Sequence, residues 1–274
     1  GASRQKKQII PLSQPFIRGL FRMSDNPNPS DSAIEVRQLR KEFGVLKAVD
    51  GVSFDLKRGE FLSVFGPNGA GKTTLIKILA GLTRPSSGTA RVAGYEVAEG
   101  RSEMRREIGV ISHSSALYAD LTPMENLIFF GKMYGLDHPK ESALEVLEDV
   151  GLAARRHDRV RTFSRGMLQR LSIARAILHD PSILFLDEPF TGLDIHASNV
   201  LKEHLQTLHN NKRTILMTTH DVSCGLEMCD KVALQVMGKF AFFEDIKDVD
   251  KENFETMYFD AVRNNQFTMG IRPH

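Results

Sequence analysis

The sequence predicts an α/β fold: a parallel sheet at the core, an antiparallel β subdomain beside it, and a helical insert. Three observations carry this. First, short apolar runs such as Phe61–Phe65 and Ile183–Leu186 have the composition of strands buried on both faces. Second, such runs alternate with segments of helical spacing. Third, from about residue 114 to 162 the helical patterns stand alone and form an insert in that core.

Taken in order, Ile34–Arg37 and Val52–Leu56 show strand periodicity, and Gly59-Glu60 turns the chain into the buried strand Phe61–Phe65. A glycine loop and a helix over about Lys72–Gly81 follow, then a strand over Thr89–Val97. In the insert, Pro123 starts a helix with Thr122 as its N-cap, and Glu141–Val150 forms another that stops at Gly151. The core resumes with strands at Ile183–Leu186, Thr214–Thr218 and Val232–Val236. Gly238-Lys239 is expected to turn the chain into Phe240–Phe243, and Asp250–Val262 to form a last helix. The expected organisation is a tail and linker over 1–32, a main domain over 33–243, and an extension over 244–274.

At 274 residues, with 41% apolar and 26% charged residues, the chain has the makeup of an ordinary soluble protein with a real core. Residues 1–22 hold Arg4, Lys6, Lys7, Arg18 and Arg22 and no acid. Taking these five from 36 basic residues leaves 31 against 34 acidic ones. A mildly acidic body lacks the basic stripe of a nucleic-acid-binding protein, so no nucleic-acid partner is expected. The segment 1–22 is expected to be sequence added to the native chain, with Met23 a candidate start, in preference to a basic targeting segment. Asp25–Ser32 is a linker by composition. Two cysteines, Cys224 and Cys229, make neither a disulfide framework nor a four-ligand zinc site and are expected to be reduced and buried. No apolar run approaches the ~20 residues of a membrane span, so work at a membrane would need another chain to hold the protein there.

Between the third strand and the following helix lies Gly66-Pro67-Asn68-Gly69-Ala70-Gly71-Lys72-Thr73-Thr74, a full match to G-x-x-x-x-G-K-[ST]. Glycines let successive N–H groups converge on one anion, and the helix start adds positive potential. Lys72 can reach β- and γ-phosphates, and the Thr73 hydroxyl can join Mg2+. An ordinary glycine-rich turn does not explain a lysine and two threonines in immediate succession. Farther on, the apolar strand Ile183–Leu186 ends in Asp187-Glu188. Alone, these would read as solvated acids at a strand end. Beside a phosphate loop, Asp187 suits a Mg2+ contact through hard oxygens, and Glu188 can take a proton from an attacking water.

The order of phosphate loop, helical insert, Ser164-Arg165-Gly166 at a helix start, strand with Asp187-Glu188, and Thr218-Thr219-His220 resembles the ATP-binding subunit of an ABC transporter. The resemblance spans about Ile34–Phe243 and implies a P-loop NTPase core that binds ATP and Mg2+. By position it gives Phe43 the role of an aromatic stacked on adenine. Ser164 and Gly166 would close on the γ-phosphate held by a second ATPase protomer, with helix-start N–H groups and a hydroxyl facing the anion. Asp194 would cross the same interface of what is expected to be a homodimer. His220 would contact the γ-phosphate and hold the attacking water. An integral membrane permease subunit would place the protein as a peripheral component on the cytoplasmic face of the membrane.

Two departures from the family pattern stand out. Leu-Ser-Gly-Gly-Gln is replaced by Phe163-Ser164-Arg165-Gly166-Met167, which keeps the phosphate-facing Ser164 and Gly166. Arg165 is expected to point sideways to solvent or an acid, in preference to an arginine-finger role. The usual Gln after the strand at Ile108–Ile111 is replaced by His113, whose imidazole lacks the hard carbonyl oxygen that Gln offers Mg2+. Leu117, Tyr118 and Leu121 follow where the family docks its membrane partner. His113 together with Val160–Pro181 is similar to the ATPase subunit of the haem exporter of cytochrome c maturation, and also to drug, polysaccharide and sodium exporters. A non-transport relative acting on nucleic acid or the ribosome is the competing class. Such proteins usually carry long coiled-coil or zinc inserts, or two ATPase units, and none is visible here.

Overall fold

The computed structural model describes residues 31–112 and 116–268, so the first 30 residues of the expected tail over 1–32, and the departure at His113, lie outside the described residues. In chain order the strands are β1 (Ser32–Phe43), β2 (Leu46–Lys57), β3 (Phe61–Phe65), β4 (Ser87–Val92), β5 (Tyr95–Glu96), β6 (Ile108–Ile111), β7 (Ile183–Asp187), β8 (Thr214–Thr219), β9 (Lys231–Val236) and β10 (Lys239–Asp245). The helices are α1 (Lys72–Leu79), α2 (Ser102–Arg106), α3 (Pro123–Tyr134), α4 (Pro139–Asp149), α5 (Arg165–Ile177), α6 (Ile195–Asn210), α7 (Val222–Met228) and α8 (Lys251–Thr268). The first strand begins at Ser32, so the last residue of the expected linker already belongs to the sheet.

Four strands make an antiparallel sheet in the order β2-β1-β4-β5, and six make a second sheet in the order β10-β9-β3-β8-β7-β6. In the second sheet β6, β7, β8, β3 and β9 run parallel, and β10 pairs antiparallel with β9 at the edge. Successive side chains of a strand point to opposite faces, and the core follows that rule. Leu62, Val64, Ile183, Phe185 and Leu216 join the cluster shared with the antiparallel sheet and α1. Their neighbours Phe61, Phe65, Leu184, Leu186, Ile215 and Met217 join the cluster shared with the helices from α3 to α8. Coverage on both faces explains why these strands read as unbroken apolar runs.

Two elements differ from the sequence expectation. Thr89–Val97 is a hairpin, not one strand: Ala93 (φ 52) and Gly94 (φ 83) form a two-residue turn between the paired Val92 and Tyr95. Likewise Met237 (φ 47) and Gly238 (φ 80) form the turn between Val236 and Lys239, one residue earlier than expected. Positive φ at both central residues matches the twist of a two-residue hairpin, and a non-glycine at the first position hides the signal. The last helix runs on to Thr268.

In the insert, α3 begins with a reciprocal capping box, in which Glu125 N donates to Thr122 Oγ1 and Thr122 N donates to Glu125 Oε2. The far end of α5 is tied to β6, because Arg175 Nη2 donates to Val110 O at 2.9 Å and His179 Nε2 lies 3.0 Å from Ile108 O. The His179 ring stacks on Tyr134 of α3 at 3.8 Å, and burial pushes its pKa down to about 4. On the other flank α8 sets Phe254 edge-on against Phe65, the residue before the glycine loop, with centroids 5.1 Å apart. No helix among the described residues is long and apolar enough to cross a membrane.

Candidate nucleotide site

The glycine loop leaves β3 at the end of the parallel sheet and delivers Lys72 to the first turn of α1. Gly71, the N-cap of α1, has φ 102, and Gly69 has φ 79, both in the region that favours glycine. Space matters as much as angle. A Cβ on Gly66 would strike the backbone carbonyl of Gln235, and one on Gly71 would strike that of Ala48. The loop is therefore pressed from behind by β9 and β2. Gly238 N also donates to Ala70 O at 3.0 Å.

Lys72 is buried, and its Nζ donates to Gly66 O at 2.6 Å and Pro67 O at 3.3 Å. The same ammonium lies 3.3 Å from Glu188 Oε1. The other oxygen of Glu188 lies 2.6 Å from His220 Nδ1, beyond the end of β8. Lys72, Glu188 and His220 thus form one connected chain of groups. Beside it, Asp187 Oδ1 accepts from Thr73 Oγ1 at 3.1 Å and from Thr218 Oγ1 at 2.7 Å. Glu188 takes φ 52, a sparse region for a non-glycine residue, and its N–H is held by Thr218 O and Oγ1, each at 3.1 Å. Thr218 therefore fixes both acids. It stands in the Thr218-Thr219-His220 run, but sequence reading assigned it no role. The order of strands does, because β8 lies directly beside β7.

A hydroxyl and a carboxylate oxygen within 3.1 Å of each other form a hard-oxygen pair, the donor set Mg2+ prefers. No group of three His, Cys, Asp or Glu suited to a metal occurs among the described residues. Such an ion would take its remaining ligands from phosphate and water, which is its usual mode. The chain Lys72–Glu188–His220 can neutralise a phosphate, accept a proton and orient a water.

The remaining candidates lie on other elements. Ser164 is the N-cap of α5 and its Oγ accepts from Met167 N at 3.3 Å, whereas Asp194 is the N-cap of α6 and accepts from Ala197 N at 2.7 Å. Gly166 lets the two helix starts meet, for its Cβ would sit 3.0 Å from that of Ala197. Phe43 ends β1 with 53% of its surface exposed and Lys41 Nζ 5.0 Å from its ring centre. Arg165 takes the solvent side of its expected placement. It is exposed, and its guanidinium lies over Gly192 instead of pairing with an acid. Arg165 also lines a pocket of about 150 Å3 with Gln169, Asp187, Glu188 and Thr191. Of the cysteines, Cys229 is buried and Cys224 half-buried, and burial pushes both thiols up to about 11.

Residues 49–191 match the model of the ABC transporter family. The chain is 38% identical to the linearmycin resistance ATP-binding protein LnrL of Bacillus subtilis over 208 residues, 75% of this chain and 67% of that protein. It is also 38% identical to the ABC transporter ATP-binding protein NatA of the same organism, covering 75% of this chain and 85% of the relative. The Nod factor export ATP-binding protein I of Burkholderia lata is 38% identical, with 75% and 68% covered. A solved ATP-binding subunit of an ABC transporter superposes with a TM-score of 0.75 at 28% identity, covering 84% of this chain and 99% of that one. The dimeric post-hydrolysis cassette MJ0796 with ADP and Pi has the same fold, with a TM-score of 0.71 at 24% identity over 79% of this chain and all of that one. The phosphate loop, the two-sheet core and these matches agree, and the chain belongs to the ABC transporter family as an ATP-binding, ATP-hydrolysing subunit.

Proposed function

We propose that this chain is the motor of an exporter, with Glu188 as general base, Lys72 and His220 as phosphate and water ligands, and a separate integral membrane permease as partner. The observation that carries the reading is the connected chain Lys72–Glu188–His220 beside the Thr73–Asp187 oxygen pair. The loop Gly66–Thr74, including Pro67, Asn68, Gly69, Ala70 and Thr74, wraps the phosphates, and Phe43 packs on the adenine. Glu188 accepts the proton of the attacking water, and His220 keeps that water in line with the γ-phosphate. Thr73 and Asp187 would hold Mg2+, which when bound offsets the charge on the phosphate oxygens. The hydroxyl of Ser164 and the N–H groups around Gly166 face the nucleotide of a second protomer, and Asp194 crosses the same homodimer interface.

The ATPase unit is proposed to span 33–243, with the insert over about 114–162 and an extension over 244–274. The exposed Tyr118 and Phe129 stack edge-on at 5.3 Å on the insert and offer apolar contact to the permease. The protein would then sit on the cytoplasmic face of the membrane. For cargo, haem export rests on residue patterns alone. The relatives reported above carry linearmycin resistance and Nod factor export in their names, which favours a cargo of that kind.

Glu188→Gln tests the motor. Turnover is expected to fall by about 10²–10⁴-fold while ATP binding survives and an ATP-bound dimer accumulates. Wild-type turnover in that variant would remove Glu188 as the base. Affinity capture of the whole chain from membranes tests the partner: a co-purifying permease supports export, and a co-purifying nucleic acid opposes it.

A further inference from the structure

Two contacts join the starts of α5 and α6: Gly166 against Ala197, and the Arg165 guanidinium across Gly192. The second is tight. A Cβ on Gly192 would overlap the carbon and both terminal nitrogens of that guanidinium, and Gly192 itself has φ 72. The segment beneath it runs from Glu188 to Asp194, with Pro189 buried and Phe190 and Leu193 packed against the core, while Gly192 faces outward under the guanidinium. Thr191 N donates to Glu188 O and Leu193 N to Phe190 O, each at 3.2 Å, while the buried Thr191 Oγ1 has no partner. At its head stands Glu188, held at φ 52. At its foot Asp194 caps α6. The far end of α5 is anchored to β6 by Arg175 and His179, so the guanidinium is carried by a helix with a fixed base.

We propose that Arg165 is a positioning residue that clamps the 189–194 segment to the start of α5, so that Glu188 and the Ser164–Gly166 turn move as one body. This rests on the dimeric motor reading above. In that dimer Glu188 serves the nucleotide on its own phosphate loop, and Ser164 serves the partner's. The clamp therefore mechanically joins two different nucleotide sites through one side chain. Arg165 acts from within its own protomer and is not itself a ligand of the reacting phosphate. A flat guanidinium suits the task because it can lie face-on over a bare Cα.

The test is a double-mutant cycle in the full chain, read as ATP turnover, KM for ATP and urea midpoint. Arg165→Ala is expected to lower kcat by about 10-fold or more with KM and the urea midpoint unchanged, since misplacement of a base costs rate without loosening binding. Gly192→Ala is expected to lower kcat as well, because its methyl displaces the guanidinium. Alanine at φ 72 strains the backbone with or without the guanidinium, so the double variant should lose less than the product of the two single losses without having to match Arg165→Ala. Arg165→Lys, which keeps the charge but not the flat face, should stay as slow as Arg165→Ala. Wild-type kcat in Arg165→Ala, full rescue by Lys, or multiplicative losses in the double variant would each overturn the clamp. Because wild-type turnover and its loss in Glu188→Gln report the motor reading separately, the clamp can fail while the motor stands.

Discussion

The two halves of the proposed machinery are built in opposite ways. The phosphate-loop half is internally bonded: Lys72, Glu188 and His220 touch in sequence, and Thr73, Asp187 and Thr218 share one carboxylate oxygen. The half made of the α5 and α6 starts is turned outward, with Ser164 and Asp194 bonded to their own helices and Arg165 lying over Gly192. A complete set of interactions in one chain marks a half-site that can bind its ligand alone. In the proposed dimer, the capped, exposed helix starts would meet a nucleotide carried by the other protomer.

Substitutions should separate the halves. Lys72→Ala removes the buried cation of the self-contained half. Nucleotide affinity of the single protomer is expected to drop on the order of 30-fold or more, measured by titration calorimetry. An unchanged Kd would break the contrast. Ser164→Ala should leave that Kd where it is and weaken ATP-driven dimerisation of the Glu188→Gln chain by about 10-fold or more, as one lost charge-assisted hydrogen bond does. Sedimentation would show it, and a changed Kd for the lone protomer would mean Ser164 already serves its own nucleotide. The smallest effect sharpens the picture of strain behind the loop. Gln235 is fully buried against Gly71, and neither amide atom has a partner. Gln235→Met is expected to stabilise the fold by about 1–2 kcal/mol by removing that unpaired amide. A lower urea midpoint would show that the amide has a bond worth keeping.

What the sequence made legible follows the same divide. Gly66–Thr74 and Asp187-Glu188 could be read directly because each is a contiguous run on one strand–loop junction, where spacing alone fixes geometry. Thr218 escaped notice as the residue that fixes both acids, since that role exists only once β8 lies beside β7. The hairpin at Ala93-Gly94 was hidden because alanine gives no warning of a positive φ. The clamp at Arg165 needed two loops brought together from different helices. Gln235 did leave a trace, as a lone amide inside the apolar run Val232–Val236, but only the packing against Gly71 shows what it faces.

The place of β3 in its sheet governs how the protein can be made. Its partners are β8 and β9, and Phe65 is covered by α7 at Gly225 and by Phe254 of α8. During synthesis β3 and the glycine loop leave the ribosome long before any of these, and the strand must wait unpaired with its apolar side chains uncovered. The nucleotide loop is thus translated well before the elements that lock it. A ribosome stalled anywhere between Thr74 and α8 would hold a chain that carries the whole Gly66–Thr74 motif without the packing that shapes it.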